Sequence, residues 1–519
     1  MRGLARSALL LALPVAAFVV AGSRWSPPRP AQVEACSPEV DLAEIRRSDP
    51  DALRTDAEID STFRAALAEA ASAPPRDLYG RITLLGKLLL YDENLSVNRD
   101  MACTTCHVPS TAYTGGISAI NRTVVAYPGS YRNLVSARKP QSYGYAPFAP
   151  ILHYDESAGE LVGGNFWDMR ATGVMLVNPA AEQAKGPPTN PLEMALPDQA
   201  CAVHRLSQSR YRPLFESVWG EQSFAIEWPA NVEQVCSTPG PPPKDDSLPV
   251  HLGARDRGIA SRTYDHMVMA MASYEASPEV SPFSSRFDSA LAHPDRKILT
   301  DEELAGWAIF RGKARCNSCH VDGFSQDVPG RTTDRTAPAR AAQRRPLFTD
   351  FTAANLGVPK NIALRFYCET DEVRPGFTPN PEGMRFVDRG VGGFLRGAGN
   401  PNRDWARLAD RNDGKFQVPT LRNVDKRPYP AFVKAYMHNG YLTSLEEVVH
   451  FYNTRDALRR CNGPNDPGEK KDCWPAPEVP VNVDSSLGNL RLTAQEQRQL
   501  VAFLKTLTDR EFRPLRRRE

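Results

Sequence analysis

Two pentapeptides, each with two cysteines followed directly by a histidine, carry the most specific chemistry in this 519-residue sequence. They are CTTCH at 103–107 and CNSCH at 316–320. Two thiols three positions apart reach both vinyl groups of one haem, and the next imidazole then lies under the iron as proximal ligand. Zinc would need two further ligands at matching spacing, and the sequence has none nearby. The motifs therefore predict two covalently bound haem c groups, held by Cys103, Cys106, His107, Cys316, Cys319 and His320.

A short apolar helix is predicted before each motif, at 84–91 and at 303–310. Each segment contains a glycine, which lets a partner helix approach closely because it has no side chain. We expect the partner helices at 267–274 and 500–504, where apolar residues recur at helical spacing. Each half then has the order helix, CxxCH, loops, helix. This order predicts a mainly α fold of two cytochrome c-like helical domains, each with one covalently bound haem and with long loop insertions.

The N-terminal residues predict export. Arg2 and Arg6 precede an apolar run of about 14 residues that ends in small residues, as in a secretory signal peptide. This run is shorter than the roughly 20 residues that a bilayer span needs, although an uncleaved anchor is the alternative. We therefore expect a periplasmic chain with no stable membrane insertion after processing.

The expected division of the chain follows from these signals. It comprises a signal peptide at 1–23, a flexible Pro-rich leader at 24–60, an N-terminal cytochrome c-like domain at 61–295, and a C-terminal cytochrome c-like domain at 296–519. The domain boundary falls near Pro294 to Thr300, where Thr300 can cap a helix with Glu303 at the capping-box position.

The charge balance excludes one class of partner. The sequence has 63 basic and 61 acidic residues, a net charge of +2, which provides no broad field for nucleic acid or an anionic membrane. Six cysteines lie outside the motifs, and Cys201–Cys236 and Cys461–Cys473 are candidate disulfides, although six cysteines allow many pairings. The segments 201–251 and 327–345 are rich in Pro and Arg, and we expect them to be surface loops.

Further motifs follow the two pentapeptides in a characteristic order. They are FWDMRA at 166–171, QAKGPPTNPLEM at 183–194, FTD at 348–350, FQVPTLRNV at 416–424, YMHNG at 436–440 and SLEEVVHFY at 444–452. From about Leu84 to about Leu507 the sequence resembles the bacterial di-haem cytochrome c peroxidase / MauG family. The resemblance implies a di-haem, peroxidase-type oxidoreductase that acts on hydrogen peroxide.

The resemblance also implies roles for residues around the first haem. In this family a Gln and, ten residues later, a Glu lie on the distal side of the peroxide-reactive haem, and Gln183 and Glu193 have that spacing. A carboxyl group in a low-dielectric pocket can move a proton between peroxide oxygens, so Glu193 is the expected acid/base and Gln183 its orienting partner. The structural alternative is that Glu193 begins a helix. Trp167 matches the Trp that lies between the two haems and is expected to relay electrons.

Two features distinguish the expected first pocket. Many family members have a His after the first CxxCH that blocks the oxidised haem, whereas the segment 108–152 contains no His. We therefore expect an open distal side. Sixteen residues separate Trp167 from Gln183, about six more than is usual in the family, so an insertion is expected to alter one wall of the pocket.

The resemblance implies further ligands in the C-terminal half and between the domains. Tyr452 stands where MauG-like enzymes use Tyr as the sixth ligand of the second haem, and Met437 is the alternative. A tyrosinate ligand lowers the reduction potential of the iron and a Met ligand raises it. The family also holds a calcium ion between the haems through an Asn side chain, carbonyls and water, and Asn133 is the expected counterpart.

Two enzymatic functions are compatible with the resemblance. The first is a periplasmic peroxidase that reduces hydrogen peroxide at the N-terminal haem, with electrons that a small donor protein passes through the C-terminal haem. The second is a MauG-like enzyme that uses the oxidising equivalents of peroxide to modify a partner protein. The open pocket and Tyr452 favour the second, whereas Ala314 stands where MauG has a surface Trp. A non-enzymatic electron carrier would need a strong sixth ligand at the first haem, for which the sequence offers no candidate.

Overall fold

The computed structural model describes residues 41–240, 248–323 and 345–510, and it is mainly helical, as predicted. The α-helices are α1 Leu42–Ser48, α2 Pro50–Ser72, α3 Leu78–Tyr91, α4 Cys103–Cys106, α5 Ser118–Arg122, α6 Pro179–Ala184, α7 Gln199–Ser207, α8 Arg212–Trp219, α9 Val232–Cys236, α10 Ala254–Glu275, α11 Arg286–Ala292, α12 Asp301–Arg311, α13 Gly390–Arg396, α14 Leu445–Thr454 and α15 Ala494–Lys505. No helix in the described parts of the chain has both the length and the apolar character that a membrane crossing requires.

The strands are short and form three separate two-stranded ladders in the described residues. Antiparallel pairs join β1 His153–Asp155 to β2 Glu160–Val162, and β3 Ala353–Ala354 to β4 Phe416–Gln417. A parallel pair joins β5 Arg459–Arg460 to β6 Cys473–Trp474. Long loops therefore carry much of the chain between the helices.

One helix crossing organises each half of the molecule. In the N-terminal half α3 packs on α10 so closely that a Cβ added to Gly86 would lie 1.9 Å from the carbonyl oxygen of Ala270. In the C-terminal half α12 packs on α15, and a Cβ added to Gly306 would lie 1.9 Å from the carbonyl oxygen of Gln499. Both predicted helix pairs, and the close approach at glycine, are confirmed.

Each crossing belongs to its own apolar core. The first core includes Leu85 and Met267, and the second includes Phe310 and Phe503. The predicted capping box is confirmed, because Thr300 caps α12 and the Glu303 carboxylate accepts from its backbone N–H. Phe287 of α11, which precedes the expected domain boundary, is buried in the second core. By packing, α11 therefore belongs to the C-terminal half.

The described part of the expected leader is helical, so the prediction of a flexible segment is wrong for it. Asp41 and Asp49 cap α1 and α2, and Pro50 occupies the first position of α2, where its fixed φ favours a helix. Ala52 and Ile59 are then buried against the rest of the protein. Residues 1–40, which include the expected signal peptide, lie outside the described residues.

The structure also corrects the expectation for the segment 201–251, which was predicted to be a surface loop. Helices α7, α8 and α9 lie within it, and their side chains Leu206, Phe215 and Cys236 are fully buried in the first core. The predicted disulfides Cys201–Cys236 and Cys461–Cys473 are confirmed, and Cys368 is disulfide-bonded as well. The cystine and the apolar helix faces explain why this segment packs inward. Nearly all of the second insertion lies outside the described residues.

Candidate active site

The first CxxCH motif opens onto a cavity of about 400 Å³. Cys103 and Cys106 are free thiols, and both line the cavity with His107. The Nδ1 of His107 is 3.0 Å from the carbonyl oxygen of Tyr113, to which it donates, so the lone pair of Nε2 remains for a metal. Burial lowers the pKa of His107 to about 4, which keeps the imidazole neutral. These three residues fit a covalently attached haem.

The two residues expected on the distal side line this same cavity. Glu193 lies in a turn after Pro191, so the structural alternative of a helix start is wrong. Its Oε1 accepts a hydrogen bond of 2.7 Å from the amide of Asn190. Burial raises the pKa of Glu193, although the charge of Arg170 opposes the rise. Among the described lining residues, His107 is the single histidine, and the open distal side stays a prediction.

Helix α6 carries Gln183 into the cavity, and Asn178 caps the start of that helix. The residues before α6 form a loop that the Glu182 carboxylate holds, because it accepts from the backbone N–H groups of Gly173, Met175 and Leu176. Met175 is 79% exposed. Residues 171–182 contribute nothing to the described cavity lining, so the expectation that the insertion alters a pocket wall is wrong. The extra residues extend outward instead.

The second CxxCH motif repeats the arrangement of the first. Cys316 and Cys319 are free thiols and line a second, smaller cavity of about 190 Å³ together with His320. The Nδ1 of His320 donates to the carbonyl oxygen of Phe348 at 3.0 Å, and burial lowers the pKa of His320 to about 4. A neutral imidazole with a free Nε2 again fits a haem ligand.

Both candidate sixth ligands line this second cavity. Tyr452 comes from α14, and burial raises its pKa, which opposes formation of the tyrosinate in the absence of a metal. Met437 lies in a loop and has a left-handed backbone with φ of +67°. The structure therefore brings both residues to the site, and the choice between them stays a prediction.

Trp167 lines both cavities. Its side chain is 8% exposed, and its Nε1 donates to the carbonyl oxygen of Lys139 at 3.2 Å. Its own carbonyl oxygen accepts from the backbone N–H of Gln417 at 2.8 Å. Lys139 therefore holds the indole, and Gln417 of the C-terminal half holds the backbone of the same residue, between the two motifs.

The sequence analysis missed a network of ion pairs that includes Asp168, the residue directly after Trp167. Arg138 donates to both carboxylate oxygens of Asp388, at 2.6 and 2.8 Å, and to Asp168 at 2.8 Å. Asp388 lines both cavities. Burial alone would raise the pKa of Asp388, but Arg138 lowers it to about 2. The sequence could have drawn attention to Asp168, because this residue directly follows Trp167. It gave no such signal for Asp388, which is far away in sequence.

Asn133 and Ala314, two further positions singled out in the sequence, are not among the described residues that line the two haem cavities. Arg132 and Asn133 both have φ of +53°, and Asn133 is not among the described residues that line either cavity or the space between them. The structure therefore gives no support to a calcium ion at Asn133. Ala314 is fully buried, whereas Trp307 packs its ring against Phe287 and donates its Nε1 hydrogen to Asp322.

Comparisons with known proteins agree with this geometry. The family model described as di-haem cytochrome c peroxidase matches residues 81–297. The methylamine utilization protein MauG of Paracoccus denitrificans is 30% identical over 454 residues, which cover 87% of this chain and 94% of that protein. A cytochrome-c peroxidase of Denitromonas iodatirespirans is 24% identical over 432 residues, 82% of this chain and 80% of that protein.

Solved structures extend the likeness to the fold. The crystal structure of the diheme peroxidase BthA from Burkholderia thailandensis has a TM-score of 0.56 and 26% identity, and the match covers 82% of this chain and 86% of that one. Two haem c groups are the cofactors of this family, and the free cysteines and histidines at both motifs fit them. The chain is a peroxidase-type oxidoreductase, and it belongs to the di-haem cytochrome c peroxidase / MauG family.

Proposed function

We propose that this protein reduces hydrogen peroxide in the periplasm at its N-terminal site, with electrons that a small donor protein delivers through the C-terminal site. The observation that carries the proposal is Trp167, which lines both cavities while Gln183 and Glu193 line the first. One molecule of peroxide takes up two electrons and two protons and leaves as two molecules of water. When bound, the haem groups supply the redox-active iron for this chemistry.

The chain's own residues handle the protons. The Glu193 carboxylate accepts a proton from one peroxide oxygen and returns it to the other, so that the O–O bond breaks with loss of water. The amide of Asn190 holds the Glu193 carboxyl at 2.7 Å, and Gln183 is the orienting partner of Glu193 in the same cavity. Trp167 carries electrons between the two sites, since it lines both cavities and its backbone and indole are bonded to Gln417 and Lys139.

A second function, oxidation of a partner protein in the manner of MauG, has its own support. The chain is 30% identical to a MauG over nearly the whole of that protein. Tyr452 lines the second cavity, and one solved structural relative is a Tyr-to-Met variant of BthA. Ala314, which is buried, has no aromatic ring to be oxidised where MauG has a Trp, so electrons from a partner would have to enter at another position. Under this function a partner protein replaces the small donor as the source of electrons.

The test is an optical and EPR spectrum of the diferric holoprotein before and after one equivalent of hydrogen peroxide. We expect one high-spin and one low-spin haem and a direct reaction. Two low-spin haems that stay inert until one is reduced would contradict the open pocket. Adding a reduced small c-type cytochrome then separates the functions, because rapid oxidation of two equivalents per peroxide supports the peroxidase, and a long-lived oxidised state supports the second function.

Further experiments test electron transfer through Trp167, the periplasmic location and the calcium content. Trp167→Phe should slow electron transfer from the second haem to the first while the initial reaction with peroxide keeps its rate. Cell fractionation against a periplasmic marker tests the expected location. The resemblance also implies a calcium ion between the domains, so the calcium content is measured in this preparation.

A further inference from the structure

Two buried lysines lie between the haem cavities. Lys139 lines both the first cavity and a small interdomain cavity of about 120 Å³. Lys434, which is 6% exposed, lines the same small cavity, and so does Trp167. Neither lysine forms an ion pair with a carboxylate among the described residues. The space between the two motifs therefore already contains two lysine side chains.

Oxygen atoms surround the Nζ atoms of both lysines. The Nζ of Lys139 donates to the carbonyl oxygen of Pro140 at 3.1 Å and to the hydroxyl of Thr114 at 3.2 Å. It lies 5.6 Å from the centre of the Trp167 ring, within the range of a cation–π contact. The peptide oxygen of Lys139 also accepts from the Trp167 indole. One residue thus binds the indole nitrogen and places a charge near the ring.

The Nζ of Lys434 joins the two halves of the protein. It donates to the carbonyl oxygen of Thr111 in the N-terminal half at 3.1 Å. It also donates to the carbonyl oxygens of Asn423 and Lys426 in the C-terminal half, at 3.0 and 3.2 Å. Carbonyl and hydroxyl oxygens are the ligands that a calcium ion takes. Here the N–H groups of the two lysines occupy these oxygens. Burial lowers the pKa of Lys434 well below its usual value, so the charge that would repel a calcium ion at low dielectric is that of Lys139.

We propose that the Lys139 ammonium is the built-in cation beside Trp167, in place of the calcium ion that the family resemblance implies, and that the protein needs no calcium. Burial lowers the pKa of Lys139 to about 8, so the side chain still carries its charge at pH 7. A fixed positive charge stabilises the reduced form of a nearby redox centre. Because Lys139 lines the first cavity and is not among the described residues of the second, its charge raises the potential of the first haem more than that of the second.

The first experiment measures calcium in the holoprotein after dialysis against EGTA, together with the Tm in EGTA and in calcium chloride. We expect no stoichiometric calcium and the same Tm in both buffers. Calcium that survives EGTA in a one-to-one ratio, or a Tm that falls on its removal, would overturn the proposal. Neither readout depends on peroxide turnover, so the outcome is independent of the proposed peroxidase function.

The second experiment compares the midpoint potentials of both haems in three variants. Lys139→Met should lower the potential of the first haem more than that of the second, and Lys139→Arg should restore it because the charge is kept. Lys360→Met is the matched control. The Nζ of Lys360 also donates to a carbonyl oxygen, that of Met384 at 2.9 Å, and lies 4.9 Å from the ring of Tyr367. Unlike Lys139, Lys360 pairs with a carboxylate, that of Glu478 at 3.9 Å, and it is not among the described residues that line the two haem cavities or the small cavity between them. An equal shift in the Lys139→Met and Lys360→Met proteins, or no shift in either, would overturn the charge role of Lys139.

Discussion

Burial of Glu193 determines the pH range in which this residue can act as a base. Its pKa is raised by burial, so its carboxylate is lost at a higher pH than that of an exposed Glu. If the carboxylate takes the first proton from peroxide, the reaction rate falls as the pH falls through this raised pKa. Above it the rate becomes independent of this group.

Glu193→Gln removes the base but keeps the shape and the hydrogen bond to Asn190. We expect the rate of reaction with peroxide to fall about 10²–10⁴-fold, the usual contribution of a general acid/base, and the pH dependence described above to vanish. Stopped-flow absorbance measures both. Glu369→Gln is the control, since burial raises the pKa of Glu369 to about 7 but the side chain lies outside the described cavity linings. An unchanged rate in Glu193→Gln would remove Glu193 from the mechanism.

The second haem offers a choice between two residues that both line its cavity. If Tyr452 is the sixth ligand, Tyr452→Phe should convert the low-spin signal of this haem to high spin, and Tyr452→Met should raise its potential. Met437→Leu should then leave the EPR spectrum unchanged. The opposite result, a new high-spin signal in Met437→Leu alone, would assign the ligand to Met437.

At the scale of helices, the two glycine crossings hold each haem-binding half together. Gly86→Ala and Gly306→Ala would each place a methyl group 1.9 Å from a backbone carbonyl oxygen, so the paired helices must move apart. We expect each variant to lose about 3 kcal/mol of unfolding free energy. Gly258→Ala in α10 is the control, because its nearest neighbour is the end of the flexible Arg262 side chain at 3.4 Å. It should gain about 0.4–1 kcal/mol. Denaturant unfolding of the holoproteins compares all three, and equal stabilities would contradict close packing at Gly86 and Gly306.

Helices with a strong local pattern could be predicted from the sequence, and those that depend on distant contacts could not. The apolar periodicity and glycines of α3, α10, α12 and α15 were sufficient to pair them. Helices α7, α8 and α9 were missed because their segment was expected to be a Pro- and Arg-rich surface loop, whereas Phe215 and the Cys201–Cys236 bond decide its packing. Likewise, Ala52 and Ile59 order α2 through tertiary burial, which a polar leader does not reveal.

The candidate site shows the same division at the scale of the whole molecule. Gln183, Glu193 and Trp167 could be found because each lies in a compact motif, and the structure brings all three to the first cavity. Arg138 and Asp388 could not be paired from sequence, because 250 residues separate them. Lys139 and Lys434, which lie between the cavities, were also missed, because a lone Lys is not part of a local sequence motif.

Arg138 joins the two halves of the protein, since Asp168 lies in the N-terminal half and Asp388 in the C-terminal half. Arg138→Met would leave both buried carboxylates without their cation, and we expect a loss of about 3–5 kcal/mol of unfolding free energy at pH 7. Arg389→Met is the control, because its bond to Asp413 comes from a half-exposed side chain and should contribute at most about 1 kcal/mol. Equal losses in the two variants would contradict the special role of Arg138.

The contribution of Arg138 to the unfolding free energy depends on pH through Asp388. Arg138 lowers the pKa of Asp388 to about 2, against the opposing effect of burial. A depressed pKa stabilises the folded state above the unfolded value near about 4, and this stabilisation is lost as the pH falls towards 2. In Arg138→Met no cation opposes burial, which then raises the pKa of Asp388, so the difference in unfolding free energy between wild type and Arg138→Met should begin to shrink above about pH 4, as Asp388 of the variant takes up a proton, and should go on shrinking towards about pH 2. Urea unfolding at a series of pH values measures it, and a constant difference would contradict this account.

The glycine crossings also determine the order of events when the protein is made. Gly86 meets Ala270, and Gly306 meets Gln499, so the partners of each crossing are about 190 residues apart in the chain. Contacts at such separation form slowly, because a long loop must close first. Each Cys pair follows the first helix of its crossing and is synthesised long before the second. We therefore expect the thiols to be accessible for haem attachment before α10 and α15 have packed, so that each half closes around a haem that is already bonded.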